Sequence, residues 1–421
     1  MPTSHNSSHK PSTGAKFARK PFKRFGVSKG GRPYSRFNGV KTGGYKKSSK
    51  FKQAVFSDIS RFVNKAVITE AVEHFVPEHQ FVDFAIEDSL KKNIAGKGYA
   101  TPTPIQDRSI PHILRGQDVV GIANTGTGKT AAFLIPLINK VLKDRNQRIL
   151  IMVPTRELAT QIGDELRGFT PGLALRAAIC VGGASIFNQM QDLRRKPNFV
   201  IGTPGRLKDL LERKTLVLSS FATVVLDEAD RMLDMGFIND MRIILAQLTT
   251  PRHTLFFCAT LSNEIEVLIK NFLTEPVRIS VKTGDTAKNV DQDIIRVPAH
   301  GNKIDVLVDL LKKSEFNKVL VFGRTKHGVE KLAKTLDAKG FKADSIHGNK
   351  TQSRRQKALD LFKKGYTKVL VATDVAARGL DISDVSHVIN YELPATHDDY
   401  VHRIGRTGRA GKKGIALTFV E

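Results

Sequence analysis

Gly121-Ile-Ala-Asn-Thr-Gly-Thr-Gly-Lys-Thr130 is the stretch of this chain best suited to hold a polyphosphate. Gly126 and Gly128, interleaved with Thr125 and Thr127, let backbone N–H groups close around phosphate oxygens, and a helix starting at Lys129 adds its positive end. Lys129 places a point charge on the terminal phosphates, and the Thr130 hydroxyl suits Mg²⁺. The common pattern has a glycine where this chain has Ala123, so the match is to Ala-x-x-Gly-x-Gly-Lys-Thr. Further on, Val224-Val-Leu-Asp-Glu-Ala-Asp230 ends an apolar run in three carboxylates. Asp227, at a strand tip, suits Mg²⁺ held through water, and Glu228 is placed to orient and deprotonate an attacking water. Alone such a cluster is more often a helix cap; beside a phosphate loop it reads as a hydrolytic centre using ATP and Mg²⁺. His402-Arg-Ile-Gly-Arg-Thr-Gly-Arg409 is either a solvated basic loop or a source of transition-state cations. Arg406 and Arg409 would then stabilise charge on the transferring γ-phosphoryl from a second domain, which makes hydrolysis depend on domain closure.

These residues need rigid strands behind them. Short apolar runs separated by helical stretches predict strands at Asp118–Ile122, Arg148–Val153, Arg176–Val181, Asn198–Ile201, Thr223–Leu226 and Thr254–Cys258. After a charged, Gly-containing stretch near 281–290, the pattern resumes at Asp293–Val297, Lys318–Phe322, Ala343–Ile346, Lys368–Ala372, His387–Asn390 and Gly414–Phe419. Continuous apolar strands alternating with helices mean parallel sheets covered on both faces. The expected organisation is an α/β domain over 81–280, a linker over 281–292 and a second α/β domain over 293–421. Ligands in this architecture sit at the carboxyl ends of the strands, where the motifs above fall.

The chain has 421 residues, 40% of them hydrophobic, with 67 Lys and Arg against 41 Asp and Glu, a net charge of +26. That is core enough to fold, and the charge points to a polyanion, nucleic acid or an anionic membrane surface. No apolar run approaches the roughly 18 residues of a membrane span. Two cysteines, Cys180 and Cys258, make neither a disulfide scaffold nor a four-cysteine zinc site. A soluble, cytoplasmic protein is expected. Residues 1–57 hold fourteen Lys and Arg, no Asp or Glu, no Leu or Ile, and aromatics beside cations such as Lys16-Phe17 and Arg36-Phe37. Such a segment predicts a disordered basic tail, because it cannot bury enough apolar surface to fold alone. An RNA- or DNA-contacting arm, a solvated tail and a transit peptide all share that composition, but the last lacks the leucines of an amphipathic targeting helix. Over 58–80, Ile59, Phe62, Val63 and Val67 fall at helical spacing, a short lead-in helix.

Asp227-Glu-Ala-Asp230 resembles the name-giving motif of the DEAD-box ATP-dependent RNA helicases, and the rest of that family's set follows in order from Phe81 to the C-terminus. The resemblance implies two RecA-like domains of the P-loop NTPase class, helicase superfamily 2. Gly98-Tyr-Ala-Thr-Pro-Thr-Pro-Ile-Gln106 looks like the family's adenine-reading motif, with Phe81 as its isolated upstream aromatic, so that Gln106 would read the adenine edge and Tyr99 would stack on the ring. Pro154-Thr155-Arg156 with the following Glu-Leu-Ala, Gly182-Gly183 and Thr203-Pro204-Gly205-Arg206 are similar to the first domain's RNA-backbone contacts. In the second domain Val321-Phe-Gly-Arg324-Thr325-Lys, His347-Gly348-Asn349, Gln352…Arg355 and Ala372-Thr-Asp-Val-Ala-Ala-Arg-Gly-Leu-Asp381 match the remaining motifs. Asp381 would meet the ATP ribose and Thr373 an RNA phosphate.

Three positions depart from that family's pattern. Cys258-Ala-Thr260 stands for its Ser-Ala-Thr, and a thiol is a weaker hydrogen-bond donor than a hydroxyl; a looser link between hydrolysis and strand separation is one reading, an inert packed thiol the other. Asn349 stands where Asp is usual. The chain also ends directly after its last strand, so either that end frays or the 58–76 segment covers it. The reading is an ATP-dependent enzyme that unwinds or remodels RNA through backbone contacts without reading bases, with a monomeric core and no membrane partner. An ATP-gated clamp that holds RNA without unwinding it, and a DNA translocase, are the alternatives.

Overall fold

The structure is a computed structural model that describes residues 75–124, 126–281, 290–298, 300–377, 385–408 and 413–420. The expected basic tail, residues 58–74 of the lead-in helix, 282–289 of the linker, and Thr125, Asp381 and Arg409 lie outside the described residues. Residues 75–80 are irregular backbone rather than helix, fastened by Glu78 and His79 N–H groups donating to the Asp107 carboxylate (2.8 and 3.2 Å).

The first sheet comprises β1 (Val119–Ala123), β2 (Ile149–Met152), β3 (Ala177–Cys180), β4 (Phe199–Gly202), β5 (Thr223–Leu226), β6 (His253–Cys258) and β7 (Val277–Val281), in the spatial order β3-β4-β2-β5-β6-β1-β7. The second holds β8 (Val290–Arg296), β9 (Val319–Phe322), β10 (Ala343–Ile346), β11 (Val369–Ala372), β12 (His387–Asn390) and β13 (Gly414–Val420), in the order β10-β11-β9-β12-β13-β8. All of the pairings are parallel.

Alternation along each strand divides the apolar residues between two cores. Ile149 and Ile151 face one side of the first sheet, Leu150 and Met152 the other. In the second, Leu320 and Phe322 pack on one face, Val319 and Val321 on the other. Both sheets are therefore sandwiched between helices, and along fully buried strands such as β1, β2, β5 and β9 polar groups emerge where the strands end.

Two elements differ from expectation. Val277–Val281 is a strand where the sequence suggested chain approaching a linker. Its alternation of buried and exposed residues is that of a half-covered edge strand, not of the continuous apolar runs that mark buried ones. The last strand, β13, is not at an edge: β12 and β8 flank it, and β8 pairs with it from Gly414↔Val290 to Val420↔Arg296. The second domain's own first strand thus lies beside the chain's last strand, and residues 58–74, nearly all of the segment expected to cover that end, lie outside the described residues.

Candidate nucleotide site and the adjoining polar turns

A cavity of about 260 Å³ opens at the carboxyl end of the first sheet, lined by Tyr99, Gly126, Gly128, Lys129, Thr130, Asp227 and Glu228, among others. β1 delivers the phosphate loop and β5 the carboxylates, with only β6 between them. Gly128 has φ +92° and precedes the Lys129–Lys143 helix. A side chain there would be strained and would run into the Gln106 amide. Lys129 Nζ donates to the Ala123 carbonyl at 2.7 Å, and the Thr127 hydroxyl ties the loop to the Asn124 carbonyl at 2.8 Å.

Asp227 and Glu228 are both buried. Burial first, and then the neighbouring Glu228 and Asp230 carboxylates, push Asp227 up to about 7 against the pull of Lys129. A buried acid so placed needs a counter-charge when ionised. Among the described residues no group of three or more His, Cys, Asp or Glu could hold a metal by itself. One carboxylate and one hydroxyl, Asp227 and Thr130, with phosphate oxygens completing the shell, is a donor set that fits Mg²⁺. Glu228 sits in the left-handed region, φ 53° and ψ 47°, a conformation that costs a non-glycine residue about 1–3 kcal/mol. It is held there by Arg231, whose Nη1 donates to Glu228 Oε2 at 2.9 Å in a buried pair.

Asp230 reaches the end of β6. Its Oδ2 accepts from Ala259 N (2.8 Å), Thr260 N (3.0 Å) and the Thr260 hydroxyl (3.3 Å). Cys258 is fully buried in the core, and burial, then Asp230, pushes its thiol up to about 12. The link from the carboxylate motif to Cys258-Ala-Thr260 therefore runs through two backbone amides and Thr260.

The upstream aromatic and glutamine pack around the cavity and its phosphate loop. Tyr99 lines the cavity, its hydroxyl donating to Glu165 Oε1 at 2.6 Å. Phe81 is buried behind it, edge-on to the Tyr99 ring at 5.8 Å, bracing it rather than lining the cavity. Gln106 is buried too: at the third position of the Pro104–Leu114 helix it turns back, accepting from Thr103 N (2.9 Å) and donating to the Gly128 carbonyl (3.1 Å). In this conformation its amide supports the phosphate loop.

The other half of the first sheet carries the residues expected to meet an RNA backbone. Pro154-Thr155-Arg156 follows β2, Gly182-Gly183 follows β3, and Thr203-Pro204-Gly205-Arg206 follows β4. Because the order there is β3-β4-β2, the three turns are neighbours. Thr155 caps the Arg156–Phe169 helix by accepting from Leu158 N, and Pro204 opens its helix at a position that needs no N–H. The Arg156 guanidinium lies against Gly182 and Gly183, so a Cβ at Gly183 would displace it. Arg206 donates to Gln189 Oε1 at 2.9 Å and pairs with Asp209.

The second sheet repeats the division. Arg324-Thr325 follows β9, His347-Gly348 follows β10 and Thr373 follows β11, and these three strands are adjacent. Thr325 caps the Lys326–Ala338 helix. The His347 ring is turned inward: its Nε2 meets Glu330 Oε2 at 3.1 Å and its Nδ1 accepts from Asn349 N, which leaves Gly348 and Asn349 as the exposed part of that turn. The Ser345 hydroxyl, then His347, holds the Glu330 carboxyl down at about 2. Asn349 still offers an oxygen, accepting from Lys326 Nζ at 3.1 Å. Beyond β12, buried Arg406 lines a small hollow with Asp374 and Arg403. Arg403 is a structural neighbour: it clamps Asp374 (2.5 and 2.8 Å) and reaches Asn390 and the Glu392 carbonyl.

Several working residues were not singled out from sequence. Leu158, Gln161, Ile162 and Glu165 line the cavity from one face of the Arg156–Phe169 helix. Their helical spacing was legible, but which face met the cavity was not. Glu157 is paired across the chain with Arg355 at 3.0 Å, both well buried.

The family model "DEAD/DEAH box helicase" matches residues 103–268, and "Helicase conserved C-terminal domain" matches residues 302–411. The chain is 47% identical over 343 residues to the DEAD-box ATP-dependent RNA helicase CshA of Bacillus cereus, covering 81% of this chain and 65% of that protein. It is 45% identical to the ATP-dependent RNA helicase CshA of Listeria monocytogenes, covering 81% and 66%. It thus spans about two-thirds of the length of the curated relatives that it matches. Among solved structures, Dbp5 of S. cerevisiae bound to RNA and ADP BeF3 superposes with a TM-score of 0.72 at 29% identity, covering 81% of this chain and 89% of that one. Mss116p bound to ssRNA and AMP-PNP gives 0.73 at 31%, covering 84% and 76%.

Proposed function

Because the chain belongs to the DEAD-box helicase family, we propose that it is an RNA-dependent ATPase that couples ATP binding and hydrolysis to local, sequence-independent separation of RNA duplexes or remodelling of RNA–protein complexes. The observation that carries this reading is the division of both sheets at their carboxyl edges. Phosphate-loop and carboxylate residues share a cavity on one half of the first sheet, and the turns expected to meet an RNA backbone stand side by side on the other half and on the second sheet.

In this reading residues 81–281 bind the nucleotide, the second RecA-like domain runs from the start of β8, at Val290 rather than 293, to 421, and 282–289 join the two. Lys129 neutralises the terminal phosphates, and Asp227 with Thr130 would hold Mg²⁺, which would supply screening of the phosphate charge. Glu228, oriented by Arg231, takes the proton of the attacking water. Arg406 and Arg409 supply the cations that meet transition-state charge when the domains close. The polar turns grip sugar and phosphate, so base identity is not read. Closure on a bent strand disfavours its duplex partner, and hydrolysis resets the weakly binding state. The tail over 1–57 adds phosphate attraction without sequence preference. A cytoplasmic location and a monomeric core complete the proposal; among the described residues no helix is long and apolar enough to cross a membrane. The clamp alternative drew on the weak donor at Cys258, and the contacts of Asp230 bypass that thiol.

Glu228→Gln tests the assignment. It should lower RNA-stimulated turnover by orders of magnitude while ATP and RNA still bind, since only the proton acceptor is altered. Turnover near the parent rate in a steady-state ATPase assay, with binding intact, would remove Glu228 from the mechanism. A strand-displacement assay run beside it separates unwinding from clamping.

A further inference from the structure

The amino edge of the second sheet, opposite the motif turns, carries a feature that the proposed cycle does not use. β9, β10 and β11 each begin directly after a lysine: Lys318, Lys342 and Lys368. The register Ala343↔Val369↔Val319, with Lys368 N donating to the Lys342 carbonyl and Val319 N to the Lys368 carbonyl (2.8 Å each), sets the three abreast on neighbouring strands. Val319 and Val369 pack into the core on one face, so strand alternation turns the lysines to the other. The Gln352–Lys363 helix ends on that side: Lys318 Nζ lies 3.2 Å from the Lys363 carbonyl and 5.5 Å from the Phe362 ring centroid. That helix ends in Lys363 and Lys364, and Tyr366 beyond it is 65% exposed.

Like charges abreast on a sheet repel. The negative end of one helix accounts for Lys318, which donates to its last turn. It does not account for Lys342, Lys363, Lys364 and Lys368, all exposed and, among the described residues, without a side-chain hydrogen bond or ion pair. The nearby carboxylates are taken: Asp344 by Lys350 at 2.7 Å, Asp360 by Gln356 at 2.9 Å. Apart from Tyr366 the ridge lacks the apolar centre that a stable protein interface requires. The Gln352–Lys363 helix, about 18 Å long at 1.5 Å per residue, connects it to the carboxyl edge, with exposed Arg354 and Lys357 along the way.

We propose that this ridge is a second RNA-backbone site, which grips the phosphates of a single-stranded flank of the same RNA held at the motif turns, with Tyr366 as a stacking surface for an unpaired base. The proposal rests on the RNA-dependent reading above. Lysine suits it as a compact point charge that needs no base geometry.

The test uses the full chain, the combined variant Lys342→Ala, Lys363→Ala, Lys364→Ala and Lys368→Ala, and separately Tyr366→Ala. Two RNAs are compared, a short oligonucleotide and the same oligonucleotide extended by a single-stranded flank. For the extended RNA the slope of log affinity against log salt should fall by about 3 in the lysine variant, at roughly 0.7 per neutralised phosphate. Tyr366→Ala should weaken it roughly tenfold without changing the slope. Affinity for the short RNA, and the ATPase it stimulates, should be unchanged in both. An unchanged slope and affinity for the extended RNA would overturn the proposal, and so would a parallel loss for both RNAs. If instead the variants bind RNA like the parent but lose an acidic protein, the ridge is a protein-docking surface and the proposal also fails. Absence of RNA stimulation in the parent chain would instead sink the functional reading itself.

Discussion

Asp227 is the residue at which burial and chemistry conflict most directly. Its carboxyl, pushed up to about 7 by burial and by its acidic neighbours, keeps its proton in the folded chain over a range where an unfolded Asp, at 3.8, has lost it. The folded state therefore binds more protons between those values, and stability attributable to this group, full below 3.8, is lost as pH rises through 7. Asp227→Asn should thus match the parent near pH 4 and become the more stable of the two as pH rises to 8, by at most about 4 kcal/mol at 1.36 kcal/mol per unit. Nucleotide with Mg²⁺ should reverse the order by stabilising only the parent. Melting temperatures of both proteins from pH 5 to 8, without nucleotide, check this; curves that stay parallel would mean that Asp227 does not titrate there. Glu228 belongs to the same scale. Its left-handed backbone and its buried pair with Arg231 hold a carboxylate at the cavity wall that an unstrained turn would aim elsewhere.

At the scale of elements, the turn after β5 and the end of β6 act as one unit through Asp230. Three bonds from Ala259 N, Thr260 N and the Thr260 hydroxyl converge on one carboxylate oxygen, so a shift of the carboxylate motif is passed to β6 without the residue 258 side chain. Cys258→Ser should accordingly leave both ATP turnover and strand displacement within about twofold of the parent, the hydroxyl replacing a packed thiol at modest cost. Asp230→Ala should lower displacement per ATP hydrolysed far more than hydrolysis itself. A several-fold rise in displacement per ATP for Cys258→Ser would show that the thiol limits coupling after all. The same scale explains what sequence periodicity caught and missed. Buried strands such as Ile149–Met152 announce themselves as apolar runs, whereas β7 alternates as Val-Arg-Ile-Ser-Val because only one face is covered. An edge strand is decided by its neighbour, β1, and not by its own composition.

For the molecule as a whole, the pair between Arg355 of the second sheet's domain and Glu157 of the first's is the contact to perturb. Its atoms lie 3.0 Å apart with side chains 11% and 2% exposed. Losing one partner leaves a buried charge uncompensated, which costs more than the pair contributes. Arg355→Ala should therefore raise the RNA concentration needed for half-maximal ATPase and lower the maximal rate, with ATP affinity of the isolated nucleotide cavity little affected. A double-mutant cycle with Glu157→Gln should give a coupling energy of about 0.5–3 kcal/mol; strictly additive effects would mean that the two residues act separately.

Much of the chemistry was legible without a structure, because it depends on residues close in sequence. Gly126 to Thr130 form one loop, Asp227 to Asp230 one turn, and the order of motifs from Gly98 to Arg409 identified the family and the paired parallel-sheet architecture. What only tertiary structure decided was adjacency between distant segments. The order β3-β4-β2-β5-β6-β1-β7 put phosphate loop and carboxylates on one half of an edge and the polar turns on the other. Packing set Gln106 against Gly128, His347 against Glu330 and Phe81 behind Tyr99, partners that their motifs do not reveal. Strand register set Lys318, Lys342 and Lys368 abreast although each is an unremarkable lysine in the sequence. Local spacing determines which groups a turn can offer. Which of them faces a ligand is settled by competition among buried polar partners, and that competition exists only once the sheets have formed.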